Sequence, residues 1–195
     1  MRIFLQLQDT QSVALSRLRG GGHIVSMQVR ELERLYAYGY WANRKLFTVV
    51  SQLTPEQFTQ SVGGSYESIR NTLVHTLSAE WGWLDRCGGR PRGPKLNPAD
   101  YPTYESLVET WNRVEQYMRE FLSRLDDEQV ARNVEFTIGS GPAQSLPLGD
   151  LLQHAAVHGI HHRAQVALLL RMLGYAPGNF DILFYYDEEP RARSV

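Results

Sequence analysis

A single cysteine, Cys87, in 195 residues rules out an internal disulfide and fits a reducing cytoplasm. Neither sign of charge is in excess: 20 Lys and Arg stand against 21 Asp and Glu. A nucleic-acid binder draws its affinity from clustered cations, so this balance argues against nucleic acid as a partner. No apolar run approaches the roughly 18 residues needed to cross a bilayer, which argues against a membrane. The opening MRIFLQLQDTQS is broken by Gln6, Gln8 and Asp9 too early for a secretory segment. Several motifs are also missing. Without G-x-S-x-G or a P-loop, neither the serine-hydrolase elbow nor the NTPase phosphate cradle is present. Cys-x-x-Cys is missing, which excludes a structural zinc site of that kind, and Glu-x-x-His is missing, which excludes a ferritin-like di-iron centre. What remains is an ordinary globular composition, 43% hydrophobic and 21% charged, in a chain sized for one domain.

The periodicity that is there is helical. Residues 1–26 end in RGGGH and share no pattern with the rest of the chain; they read as an N-terminal extension outside the core or a short helix packed on it, with Met27 an alternative start. From Val29, apolar residues at Leu32, Leu35, Tyr36, Trp41, Leu46, Phe47 and Val50 predict a first helix, interrupted by Gly39 and ended by Thr54-Pro55. Ser68 caps a second, which stops at Gly88-Gly89. A proline-rich surface loop leads to a third, from Tyr104 to Leu125. RNVEFTIGSGPAQSLPL alternates apolar and polar residues and predicts a small hairpin or extended excursion. Ser145 and Pro147 then open a fourth helix, Leu146 to Leu173, ended by Gly174. The expected fold is all-α: a four-helix bundle over residues 27–187 with a long crossover, an aromatic tail packed back on it, and a frayed end at 188–195.

Four of the six histidines fall in HAAVHGIHHRAQ, residues 154 to 165. On a helix, residues four apart lie one above the other, so His154 with His158, or His158 with His162, can chelate one divalent ion. All three cannot share it, because His154 and His162 stand about 12 Å apart along the axis. Gly159 follows His158 where a zinc-protease helix has Glu. The stripe through Leu151, Ala155, His158, His162, Val166 and Leu169 is apolar at both ends, which turns His158 and His162 inward; the neighbouring stripe through His154 and His161 is nearly as apolar. A third ligand must come from elsewhere, from His75 in NTLVHTLSAEW or from His23. Core histidines bonded to backbone or solvent are the competing reading. Cys87 sits at a helix C-terminus, where the dipole disfavours a thiolate nucleophile.

Three stretches, LYAYGYWANRKLF at 35–47, SIRNTLVHTLSAEWGWLDRCGG at 68–89 and LLQHAAVHGIHHRAQVALLLRMLG at 151–174, together with the closing GNFDILFYY, resemble the DinB/YfiT-like superfamily of metal-binding four-helix bundles. The resemblance implies one divalent ion held by three histidines, which fall here on His75, His158 and His162. It implies Zn or Ni first, with Mn or Fe also suited to imidazole. His161 takes a variable position in the family, and His154 a supporting or packing one. Some members resemble thiol S-transferases joining a low-molecular-weight thiol to an electrophile; others are described as metal-dependent hydrolases acting through metal-bound hydroxide. The name refers to damage-inducible expression. The expected partners are therefore a small thiol and an electrophilic substrate, with pairing into a homodimer through an exposed apolar helix face. A non-catalytic metal-binding or interaction module is the rival class.

Around that set, Arg163 and Gln165 lie within a turn of His162, and Glu80 follows His75 by five residues. Arg163 either clamps a substrate carboxylate or faces solvent beside an acid. Glu80 either orients an imidazole or, being about 140° round the helix from His75, joins a helix–helix salt bridge. Of Trp41, Trp81, Trp83 and Trp111, most belong to the core and one is left to wall a pocket.

Overall fold

The computed structural model describes residues 27–189. The segment 1–26, with His23 and the expected extension, and positions 190–195 of the expected frayed end lie outside the described residues. Four long helices make the body: α1 (Val29–Val50), α3 (Ile69–Cys87), α4 (Tyr104–Leu122) and α6 (Leu148–Met172). Three short ones, α2 (Pro55–Thr59), α5 (Asp127–Ala131) and α7 (Ile182–Glu188), lie in the connections and at the end, and strands β1 (Asn133–Phe136) and β2 (Gln144–Pro147) precede α6. Both α1 and α3 pack on α4 and on α6, so these consecutive long helices stand diagonally opposite, with α3 lying most extensively along α6. No helix of the described residues is long and apolar enough to cross a membrane.

Each long helix forms where an apolar stripe at three- and four-residue steps meets a start signal. On α4 the buried residues are Leu107, Trp111, Val114, Met118 and Leu122, one face of the helix. Ser68 Oγ accepts from Asn71 N at 3.0 Å to start α3. The connector after Thr54 holds a helix the apolar pattern was too short to reveal: Thr54 and Gln57 cap each other reciprocally over α2. The third long helix ends at Leu122 rather than Leu125, because Asp126 caps α5.

The excursion before the last helix is an antiparallel hairpin with Asn133 opposite Pro147 and Phe136 opposite Gln144. Ser145 is consequently a strand residue facing Glu135, not the expected cap. Pro147 takes the N-cap position with no side-chain bond, and Leu148 N donates instead to Arg132 O at 2.9 Å, so the hairpin itself satisfies a free N–H of α6. At the C-terminal end Tyr38 Oη donates to Phe180 O at 2.8 Å, and Tyr185 sits edge-on to Tyr38 and Trp41. Glu188, placed by sequence in the frayed end, accepts from Trp41 Nε1 at 2.9 Å and pairs with Lys45.

The apolar core divides into two main clusters. One gathers Leu46, Phe58, Leu73, Leu77, Trp111 and Val166; the other Leu32, Trp83, Met118, Leu148, Leu151 and Leu152. Between them, α1 carries buried Asn43 and α6 carries buried His162 and Arg163, a polar waist across the bundle. Trp111 meets Phe47 edge-on with ring centroids 4.9 Å apart. Replacing it with Ala will lower stability by about 3–5 kcal/mol, read from the urea midpoint; a loss below about 1 kcal/mol would mean the first cluster is not packed as described.

Candidate metal centre

His75 projects from the second turn of α3, and His158 and His162 project from successive turns of α6, the helix packed along it. The structure brings the three together. His75 Nε2 lies 3.2 Å from His158 Nε2, and His158 Nε2 lies 3.0 Å from His162 Nε2. All three donors fall within 4.8 Å of one another. Nitrogens about 2.0–2.1 Å from zinc stand roughly 3.3 Å apart around a tetrahedron and roughly 2.9 Å apart at adjacent octahedral corners, so this spacing fits a shared ion.

Protonation favours the same use. Burial, then the charges of His162, Lys95 and Arg92, push His75 down to about 4. His158 is also pushed down to about 4, by burial and then by His162, His75, His154 and His161. Burial lowers His162 as well, opposed by its bond to Gln165. All three imidazoles are therefore neutral at pH 7, the form that ligates. His162 Nδ1 is 2.7 Å from Gln165 Oε1, an oxygen that only accepts. The proton is therefore on Nδ1, which turns the Nε2 lone pair into the cluster. Gln165 Nε2 in turn reaches His161 Nε2 at 3.1 Å, holding the carboxamide in that orientation. His161 itself is exposed. His154 packs edge-on against Trp83.

One participant was not foreseen. Tyr66 Oη lies 2.9 Å from His75 Nε2, and its ring stacks on the imidazole at 4.1 Å between centroids. The loop carrying it folds back over α3 because Val62 N and Gly63 N both donate to Glu67 O and the backbone turns through positive φ at Gly63, Gly64 and Glu67. Only its place in a glycine-bearing loop just before the His75 helix signalled it. Tyr66, His75, Lys95 and Leu96 line a cavity of about 280 Å³.

Arg163 and Glu80 take neither of the roles foreseen for each. Arg163 is buried, donating from Nη1 to Asn43 Oδ1 at 3.1 Å on the α1 side of α6, so it neither faces solvent nor reaches out to a substrate beside the histidines. Glycine makes room for it. A Cβ at Gly159 would stand 3.3 Å from Arg163 Nη1, and one at Gly39 3.9 Å from both its terminal nitrogens. The Gly that interrupts the first apolar pattern and the Gly that follows His158 thus serve the same guanidinium. No cation of the described residues lies within ion-pair distance of Glu80, so the expected salt bridge is not formed. Glu80, Arg163, Tyr40 and Asn43 instead surround a cavity of about 20 Å³, where the buried Tyr40 hydroxyl has no hydrogen-bond partner among the described residues. That space is large enough for about one water. Cys87 is fully buried and its thiol is pushed up to about 12 by burial, which removes it as a nucleophile.

Fold and site together define a mostly helical bundle in which two packed helices bring three histidines within reach of one ion. The chain belongs to the DinB family, whose model matches residues 27–193. It is similar to Protein DinB of Bacillus subtilis strain 168, 25% identical over 157 residues that cover 78% of this chain and 91% of that one. It is also similar to YizA of the same strain, an uncharacterized protein, at 24% identity over 144 residues, 74% of this chain and 89% of that one. The crystal structure of a DinB-like protein from Bacillus cereus ATCC 10987 shares the fold, with a TM-score of 0.65 at 17% identity, covering 79% of this chain and 98% of the other.

Burial pushes the Glu80 carboxyl up to about 7, against the lowering effect of Arg163. The folded chain then holds this proton more tightly than the unfolded chain, so stability present below pH 4.5 is lost as pH rises through about 7. Glu80→Gln removes that loss. In urea titrations, its stability relative to wild type will rise between pH 4.5 and about 7; parallel curves would show that the carboxyl is not perturbed.

Proposed function

We propose that the protein is a metal-dependent thiol S-transferase, using one divalent ion, zinc or nickel by preference, on His75, His158 and His162. The observation that carries this reading is the meeting of three neutral imidazoles, with His158 Nε2 3.2 Å from His75 Nε2 and 3.0 Å from His162 Nε2, beside a cavity that His75 itself lines. Three protein donors leave a tetrahedral or larger coordination shell open, as catalytic sites do and closed structural sites do not. A divalent ion bound there supplies Lewis acidity, lowering the pKa of a thiol or water that reaches it.

The chain's own residues do the rest. Gln165 fixes the His162 ring and its tautomer. Tyr66, its hydroxyl pushed up by burial, stays a neutral phenol at pH 7 and presents an O–H at the edge of the cluster. That group can donate to a developing negative charge on the substrate. The α3–α6 packing holds donors from two helices in register, so little reorganisation accompanies ligand entry.

Metal analysis after dialysis will find about one divalent ion per chain, lost in His158→Ala and bound roughly 10–100-fold more weakly in Gln165→Leu. Unchanged metal content in His158→Ala would end the proposal. Loaded protein will consume a small thiol and a model electrophile in equal amounts, and His158→Ala will not. If thiols are inert while an ester or amide panel is cleaved, hydrolysis is the activity. Stoichiometric metal with neither reaction would make the protein a binding module.

A further inference from the structure

Residues 90–96, RPRGPKL, form an arch tied to α3 at both ends. Asp85 accepts from Arg90 Nε at 3.0 Å and from Gly93 N at 3.2 Å, and Ser78 Oγ accepts from Leu96 N at 3.1 Å. The arch stands over a cavity of about 590 Å³, a volume typical of small-molecule sites. Trp81, the half-buried one of the four tryptophans, is part of its wall. Leu96 lines both this space and the smaller cavity at His75, so the two adjoin.

Charge in the large cavity is one-sided. Asp85 is engaged by Arg90, at 3.0 Å, whereas Arg92 forms no salt bridge among the described residues. Its side chain lies across Gly82: a Cβ there would stand 2.8 Å from Arg92 Nε. Glycine at 82 therefore seats the guanidinium against the helix. Gly82 follows His75 by seven residues, which places that seat roughly 10 Å along the axis from the histidine. At the near end, Lys95 and Glu67 both line the smaller cavity, so charge of both signs stands there.

We infer that this cavity receives a carboxylate of the substrate on Arg92, with Trp81 against the chain that joins it to the reacting atom at the histidines. The inference rests on the proposed function for the identity of that atom. The Arg92 guanidinium presents its N–H donors as a planar fork, which suits a planar carboxylate met by a two-pronged contact. The substrate class is thus a thiol or electrophile bearing a carboxylate about 10 Å from its reactive centre.

The test separates the groove from the thiol chemistry by using a probe without a thiol. S-methylglutathione is titrated into the full-length protein at low salt, with metal content matched between variants, and binding is followed by tryptophan fluorescence and by calorimetry. Saturable binding is expected, weakened about tenfold or more in Arg92→Ala and for the probe's diethyl ester, partly restored in Arg92→Lys, and unchanged in Arg113→Ala on the outer face of α4. Trp81→Phe should remove the fluorescence change while heat is still released. No binding, or equal affinity for wild type and Arg92→Ala, would overturn the groove while leaving the metal reading untouched. Competition by inorganic phosphate at equal concentration would overturn the choice of carboxylate.

Discussion

Three uncharged imidazoles brought together at their Nε2 atoms, His158 standing 3.2 Å from His75 and 3.0 Å from His162, are the constraint to which much of this bundle is fitted. Facing lone pairs repel unless a proton or cation lies between them, and burial makes an added proton, with its charge, costly. The arrangement therefore needs rigid backing, which comes from α3 lying along α6 with apolar clusters to either side of the waist. Gln165 adds a rotational lock, fixing which nitrogen of His162 faces inward.

Behind the histidines, the waist has a second and opposite electrostatic character. Arg163, Asn43, Glu80 and Tyr40 face one another around a space the size of a water molecule, on the α1 side of α6. Burial pushes the imidazoles towards losing a proton and the Glu80 carboxyl towards keeping one, so both faces of α6 shed charge near neutrality. Arg163 is the exception, kept cationic by its high intrinsic pKa and accommodated by two glycines and an amide oxygen.

The sequence made the long helices legible because each carries a continuous apolar stripe, and the metal-type pair legible because four-residue spacing has one geometric meaning on a helix. Choosing His158 and His162 over the equally spaced His154 and His158 was a different matter. Two stripes of α6 were nearly as apolar, and family resemblance, not periodicity, separated them. What stayed hidden depended on the third dimension. Arg163 reads as a surface residue until Gly39 and Gly159, some 120 positions apart, are seen to make room for it from two helices. Tyr66 depends on a loop turning back through positive φ, and Glu80 on which cation chose another partner. Short helices α2 and α5 escaped because each is a cap and a single turn, with no period to detect.

The direct passage from β2 into α6 has a further consequence. Pro147 is both the last strand residue and the cap of the helix that carries two of the three histidines, so the hairpin sets the azimuth of that helix as a key sets a shaft. Length changes at the open tip around Gly139 and Gly141 would be absorbed in solvent. One residue added at the junction would index the whole shaft by about 100° and carry both imidazoles out of the interior together.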